Sequence, residues 1–263
     1  DQVVPMLPKQ LSNGICSLRP DEDKLTYSVI FQLNERAEIK SYEIAKTVTR
    51  SNRRFTYEEA QSVIETGEGD YKEEILTLNE LATKLREKRL QSGAIAFDSE
   101  EVRFDIDEKG KPLSVYFKVQ KDSNKLIEEF MLLANKTVAT HIGKPGKGQK
   151  VRTFVYRIHD TPNPEKLENF SAFIKKFGYN LKSTGKKTQI SSAINSLLDE
   201  VSGKKEQNLI ETLAVRSMAK AIYSTQNIGH YGLAFDYYSH FTSPIRRYPV
   251  IPVPYTPLKL PTI

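Results

Sequence analysis

A chain of 263 residues with net charge +6 has enough material for one large domain or two small ones, and for a core that needs no staples. The single cysteine, Cys16, excludes an intrachain disulfide and fits a reducing compartment, where a small buried apolar role is expected of it. No apolar run approaches membrane-spanning length, and the opening DQVVPMLPKQ lacks the basic start and hydrophobic region of a signal peptide. A soluble, cytoplasmic protein without a membrane partner is therefore expected.

In chain order, Pro5, Pro8 and Ser12-Asn13-Gly14 predict an irregular opening to about Leu18, and a start at Asp rather than Met reads as a fragment. Alternation from Thr26 to Leu33 and from Ile39 to Val48, with Asn34 and Glu35 between, predicts an antiparallel hairpin. Thr56 and Glu59 form a capping-box pair at the start of a helix. A second helix is predicted from Leu78 to Leu90, with Lys84, Arg86, Lys88 and Arg89 largely on its solvated face. A β-region follows: Ala94 to Phe97, then a hairpin of Val102 to Ile106 and Leu113 to Val119. Leu126 to His141 is the strongest amphipathic helix, ended near Gly143. A basic loop to Lys150 leads to a short strand, Thr153 to Ile158. Helical stretches follow at Pro164 to Phe177, Ile190 to Val201 and Gln207 to Ile222. Strands and helices mix without βαβ alternation, so the class is α+β, a mixed, mainly antiparallel sheet with packed helices.

Cations cluster at Arg50, Arg53 and Arg54, at Lys84 to Arg89, and at Lys144, Lys147, Lys150 and Arg152. Such clusters attract phosphate backbones, although lysines on helices also form ordinary solvated faces. The run His230 to Pro249, HYGLAFDYYSHFTSPIRRYP, is more specific. Arg246 and Arg247 present planar forks that match phosphate oxygens, with the hydroxyls of Thr242 and Ser243 beside them. Tyr231, Phe235, Tyr237, Tyr238, Phe241 and Tyr248 add flat surfaces for stacking bases. A polynucleotide suits this set better than a small anion does, and aromatic core residues beside two solvated arginines are the plain alternative. His141, His159, His230 and His240 lack the spacing of zinc ligands, so structural histidines are expected.

The order of motifs VVPMLPKQLSNGICSLRP, GAIAFDSEE, IEEFMLLAN, VYRIHDTPNPEKL, LAVRSMAKAIYS and HFTSPIRRY resembles the ribonuclease II and ribonuclease R family (RNB catalytic domain), most closely its ribonuclease R branch. The resemblance covers residues 1–249 and implies the central and C-terminal part of a catalytic domain that degrades single-stranded RNA from the 3′ end to nucleoside 5′-monophosphates. It implies Arg246 as the catalytic arginine at the scissile phosphate, Phe97 as the aromatic against the terminal base, and Glu128 and Tyr57 as ribose readers. A carboxylate that accepts from a 2′-hydroxyl distinguishes RNA from DNA directly. It also implies Mg²⁺ or Mn²⁺, held in the family by an aspartate cluster ending in D-x-D-D that lies upstream of VPMLP and is not in this sequence. Neither Asp21-Glu22-Asp23 nor Asp105-Ile106-Asp107-Glu108 has the spacing, so no metal ligand is assigned and the isolated chain is expected to be poorly active. After Tyr248 the family expects an acidic residue and a helix. Instead Pro249, Pro252, Pro254, Pro257 and Pro261 predict an extended or disordered tail over 250–263. Two other readings stand beside this one: a non-catalytic RNA-binding module, and a different metal hydrolase using Asp105, Asp107 and Glu108.

Overall fold

Alternating side chains build the first element. β1 (Asp23–Leu33) and β2 (Ile39–Arg50) pair antiparallel from Asp23 opposite Arg50 to Leu33 opposite Ile39. The Asn34 carboxamide shapes the turn, its Oδ1 accepting the N–H of Arg36 at 3.0 Å and of Glu38 at 2.9 Å. One face carries a hydroxyl ladder, Thr26 to Thr47 at 2.8 Å and Thr47 to Ser28 at 2.6 Å. The tip docks on the next helices, because the ammonium groups of Lys84 and Lys88 donate to the carbonyls of Glu35 and Arg36 at 2.7 and 2.6 Å. The computed structural model describes residues 4–97, 101–108, 110–144, 146, 152–181, 185 and 187–247. Lys147, Lys150, Tyr248 and the 250–263 tail lie outside the described residues.

The opening is more ordered than its prolines and glycine predict: Gln10–Ile15 makes a π-helical turn, closed by the Cys16 N–H on the Leu11 carbonyl at 2.9 Å. That turn buries none of its residues, so Cys16 is exposed rather than a core residue.

α1 (Tyr57–Thr66) begins with the expected capping box, Glu59 N–H to Thr56 Oγ1 at 3.1 Å and Thr56 N–H to the Glu59 carboxylate at 2.7 Å. α2 (Lys72–Gln91) starts earlier than its apolar periodicity suggests. Tyr71 reverses the chain in a left-handed conformation, and Glu73 and Glu74 fill the first turn, where negative charge is favourable. α3 (Asp122–Gly143) packs against both. Gln61 of α1 accepts the Ser123 N–H at 2.9 Å and so fixes the start of α3. Arg89 does not sit on the solvated face of α2. It is buried and donates through Nε at 3.3 Å, and through a second guanidinium nitrogen, to the buried carboxylate of Glu129.

Ala94 to Phe97 forms no strand, because the side chain of Asn195 and the Gly232 carbonyl, not a neighbouring strand, take up its backbone groups. The Asn195 Oδ1 accepts the Ala96 N–H at 3.1 Å, and its Nδ2 donates to the Ala94 carbonyl at 2.8 Å. β3 (Glu101–Ile106) and β4 (Pro112–Lys118) form the expected antiparallel hairpin.

β5 (Tyr156–Ile158) pairs antiparallel with β6 (Ile222–Ser224). Between them lie α4 (Pro164–Ile174), α5 (Lys187–Val201) and α6 (Gln207–Ser217). Leu167, Phe170 and Ile174 of α4 meet Ile194, Leu197, Leu198 and Val201 of α5 and Ile210 and Ala214 of α6, positions at helical spacing that close the main core. α6 stops before the predicted Ile222. The chain turns extended at Met218, and Ile222–Ser224 supplies the partner β5 requires. The class is mixed α+β with antiparallel strand pairs.

Candidate nucleic-acid interface

The segment from His230 to Arg247 is a hub, hydrogen-bonded to the stretch that ends in Phe97 and to α3, the helix of Glu128. At one end, the Ile95 N–H donates to the Gly232 carbonyl at 2.9 Å, joining this segment to the stretch that Asn195 clamps and that ends in Phe97. Phe97 is half-buried against the main core. Asp98, Ser99 and Glu100 lie outside the described residues. At the other end, the Asn135 Oδ1 on α3 accepts the N–H of Phe241 at 2.8 Å and of Thr242 at 2.9 Å, while its Nδ2 donates to the Tyr238 hydroxyl at 3.3 Å.

Beyond that anchor, Ser243 takes a left-handed conformation at φ 53° and Pro244 begins a single 3-10 turn ending at Arg246. The turn turns the two arginines apart. Arg246 is exposed, whereas the Nε of Arg247 is buried without a hydrogen-bond partner. Among the described residues neither guanidinium has a carboxylate within ion-pairing distance. An exposed, unneutralised guanidinium on a turn with set torsions suits a phosphate.

Glu128 and Glu129 are neighbours with separate environments. Glu129 is 3 % exposed and fully engaged by Arg89. The side chain of Glu128 is 41 % exposed and lies 3.6 Å from the same guanidinium. Because α3 starts at Asp122, Glu128 sits beyond the first turn, so a helix-dipole role does not explain it. Burial raises the Tyr238 pKa; the Asn135 donor and the Arg247 charge oppose that rise, and the Glu128 charge adds to it. The charges of Glu128 and Arg247 thus both act on one phenol. Tyr57 is exposed at the start of α1, one turn from the Gln61 that touches α3, which puts it on the helix next to that of Glu128.

Three histidines hold the hub together, His230 and His240 within it and His159 against it. His159 receives the Gly232 N–H on Nδ1 at 2.9 Å and donates from Nε2 to the Ala219 carbonyl at 2.8 Å, which requires the neutral Nε2–H tautomer. Its ring lies 4.9 Å from that of His230. Burial, and then the nearby His159 and Arg157, push His230 down to about 3. Burial, Arg247 and Arg157 push His240 down to about 4, and its Nδ1 is 2.6 Å from the Tyr223 hydroxyl. A Cβ on Gly232 would lie 2.9 Å from His159 Nδ1, so only glycine fits there.

The described carboxylates are not grouped as a catalytic metal pair would require. Among the described residues no three of His, Cys, Asp or Glu are grouped to hold an ion. Glu22 pairs with Lys24 at 2.6 Å, and Asp23 with Arg50 at 3.5 Å. On the second hairpin, Asp105 accepts from Ser114, and Asp107 accepts the Lys111 N–H at 2.8 Å, as turn residues do. The residues that sequence reasoning passed over are Asn135 and Asn195, while Arg89, expected on a solvated face, is internal. Asn135 closes the motif IEEFMLLAN seven positions after Glu128, a spacing that returns to one helix face.

Residues 1–252 match the family model described as RNB domain. The chain is 38% identical over 257 residues to ribonuclease R of Aquifex aeolicus, covering 95% of this chain and 36% of that protein. It is likewise 38% identical over 258 residues to ribonuclease R of Thermotoga maritima, covering 95% and 35%. It therefore spans about a third of the length of these relatives. Among solved structures, the fold is similar to Mycoplasma genitalium RNase R in complex with ribose-methylated single-stranded RNA. That likeness has a TM-score of 0.82 at 26% identity, and covers 94% of this chain and 38% of the other.

Proposed function

The chain belongs to the RNB domain family, and on that premise we propose that it is the substrate-holding part of a ribonuclease R type 3′-to-5′ exoribonuclease that hydrolyses single-stranded RNA to nucleoside 5′-monophosphates. The observation that carries this reading is the hub: one segment, His230 to Arg247, is hydrogen-bonded both to the stretch ending in Phe97 and to the helix of Glu128, and itself bears Arg246. In this reading the terminal base stacks on Phe97 and a 2′-hydroxyl donates to the Glu128 carboxylate. Tyr57 supports the adjoining sugar. The Arg246 guanidinium holds two oxygens of the scissile phosphate and balances the charge that grows on them during displacement. In the family, divalent ions activate the attacking water. The aspartates expected to bind them are not in this sequence, and no step is assigned to a metal here.

A second reading is a non-catalytic RNA-binding module, which would hold RNA through the same hub without cleaving it. Incubating 3′- and 5′-labelled single-stranded RNA with the chain, with or without Mg²⁺ or Mn²⁺ and alongside Arg246→Ala, separates the two. Salt-dependent binding that weakens in Arg246→Ala is expected of both, and stepwise shortening only of an intact catalytic centre. Binding indifferent to Arg246 would overturn the placement of the phosphate.

A further inference from the structure

We propose that Asn135 is a positioning residue, which fixes the turn carrying Arg246 onto the helix carrying Glu128 and so sets the distance between the phosphate grip and the ribose reader. This rests on the functional reading above. Asn135 is 2 % exposed, and among the described residues its side-chain hydrogen bonds all go to one segment: to the Tyr238 hydroxyl and from the N–H groups of Phe241 and Thr242. Among the described residues, those last two bonds are the only hydrogen bonds tying 241–247 to the rest of the chain. The other bonds of the stretch are internal, Arg246 N–H to the Ser243 carbonyl at 3.1 Å and Arg247 N–H to the Pro244 carbonyl at 3.0 Å.

From Thr242 to Arg246 the path is short and stiff, because Pro244 has a fixed φ and the 3-10 turn closes on itself. Glu128 lies two helical turns before Asn135 on the same face of α3. The spacing of phosphate and sugar contacts is thereby set by one buried carboxamide. An amide suits the position because it accepts twice and donates once without placing a further charge near Glu128 and Glu129.

The test has two arms on the full chain. In the first, trypsin cleavage after Arg246 and Arg247 is timed. Asn135→Ala is expected to raise the rate about tenfold by freeing the turn. Tyr238→Phe, which removes only the third bond, is expected to match the wild type. In the second, binding of single-stranded RNA is measured for Asn135→Ala, Arg246→Ala and the double variant. Each single variant is expected to bind about tenfold more weakly and the double variant no worse than either, since a misplaced arginine has little left to lose. If Asn135→Ala fails to fold, Asn135→Leu fills the volume, accepts nothing and serves both arms. Unchanged cleavage, or binding losses that multiply in the double variant, would overturn the proposal while leaving the functional reading intact. RNA binding indifferent to Arg246→Ala would overturn both.

Discussion

At the scale of single residues, the adjacent glutamates of α3 make a sharp comparison, because one guanidinium faces both and only one of them is buried. Removing the Glu129 carboxylate leaves Arg89 charged in the interior, so Glu129→Ala should cost about 3–5 kcal/mol of stability in a denaturant titration. Glu128→Ala should leave the denaturation midpoint nearly unchanged, since Arg89 keeps its main partner and the lost pair is half-solvated. Its effect belongs to recognition: the preference for RNA over an oligomer with a 2′-deoxy 3′ end should fall about tenfold. An equal loss of stability in both variants would assign Glu128 to the scaffold. Periodicity does not separate the two, because it places both near the apolar face and burial is decided by where Arg89 arrives from another helix; the family resemblance alone singled out Glu128.

At the scale of elements, the hairpins and α1 to α5 were legible because their signals are local: alternation, turn chemistry, a capping box, helical spacing. The segment Ala94 to Phe97 was not, since it satisfies its backbone through the Asn195 side chain and Gly232, partners far away in the chain. The end of α6 depended in the same way on β5 needing a neighbour. The histidine-braced hub gives this scale its own prediction. The folded protein keeps His230 and His240 neutral down to about 3 and about 4, whereas the unfolded chain protonates them near 6.5. Between those values the unfolded state binds more protons, so their contribution is complete above pH 6.5 and is lost as pH falls toward 4. With partial exposure discounted, unfolding free energy should drop by about 2–4 kcal/mol between pH 7.5 and 4. Exposed carboxylates with lowered pKa, such as Glu38 and Glu59, act only below 4.5 and leave the upper part of that window to the histidines. His230→Asn should flatten the profile between pH 6.5 and 5, and an unchanged slope there would contradict the buried neutral ring.

At the scale of the whole molecule, the clustering of cations along the sequence overstates how much of the surface is available to a phosphate backbone. Arg53 pairs with Glu59 and Asp70 and lies over Phe55, Arg50 pairs with Asp23, Lys84 with Glu80, Lys88 with Glu38, and Arg89 is internal. Among the described residues, these cations of the first two sequence clusters are therefore already engaged, whereas Arg246 is exposed at the hub with no carboxylate within ion-pairing distance. Counterion release makes this measurable. The logarithm of the RNA association constant should fall linearly with the logarithm of salt concentration, with a slope of about −0.7 for each phosphate neutralised on a single strand. Arg246→Ala should make that slope shallower by about 0.7, whereas Arg53→Ala, already neutralised by two carboxylates, should leave it where it is. Equal changes in the two variants would mean that RNA lies along the paired cations of the first hairpin and α1, and that the His230 to Arg247 segment is a scaffold rather than the grip.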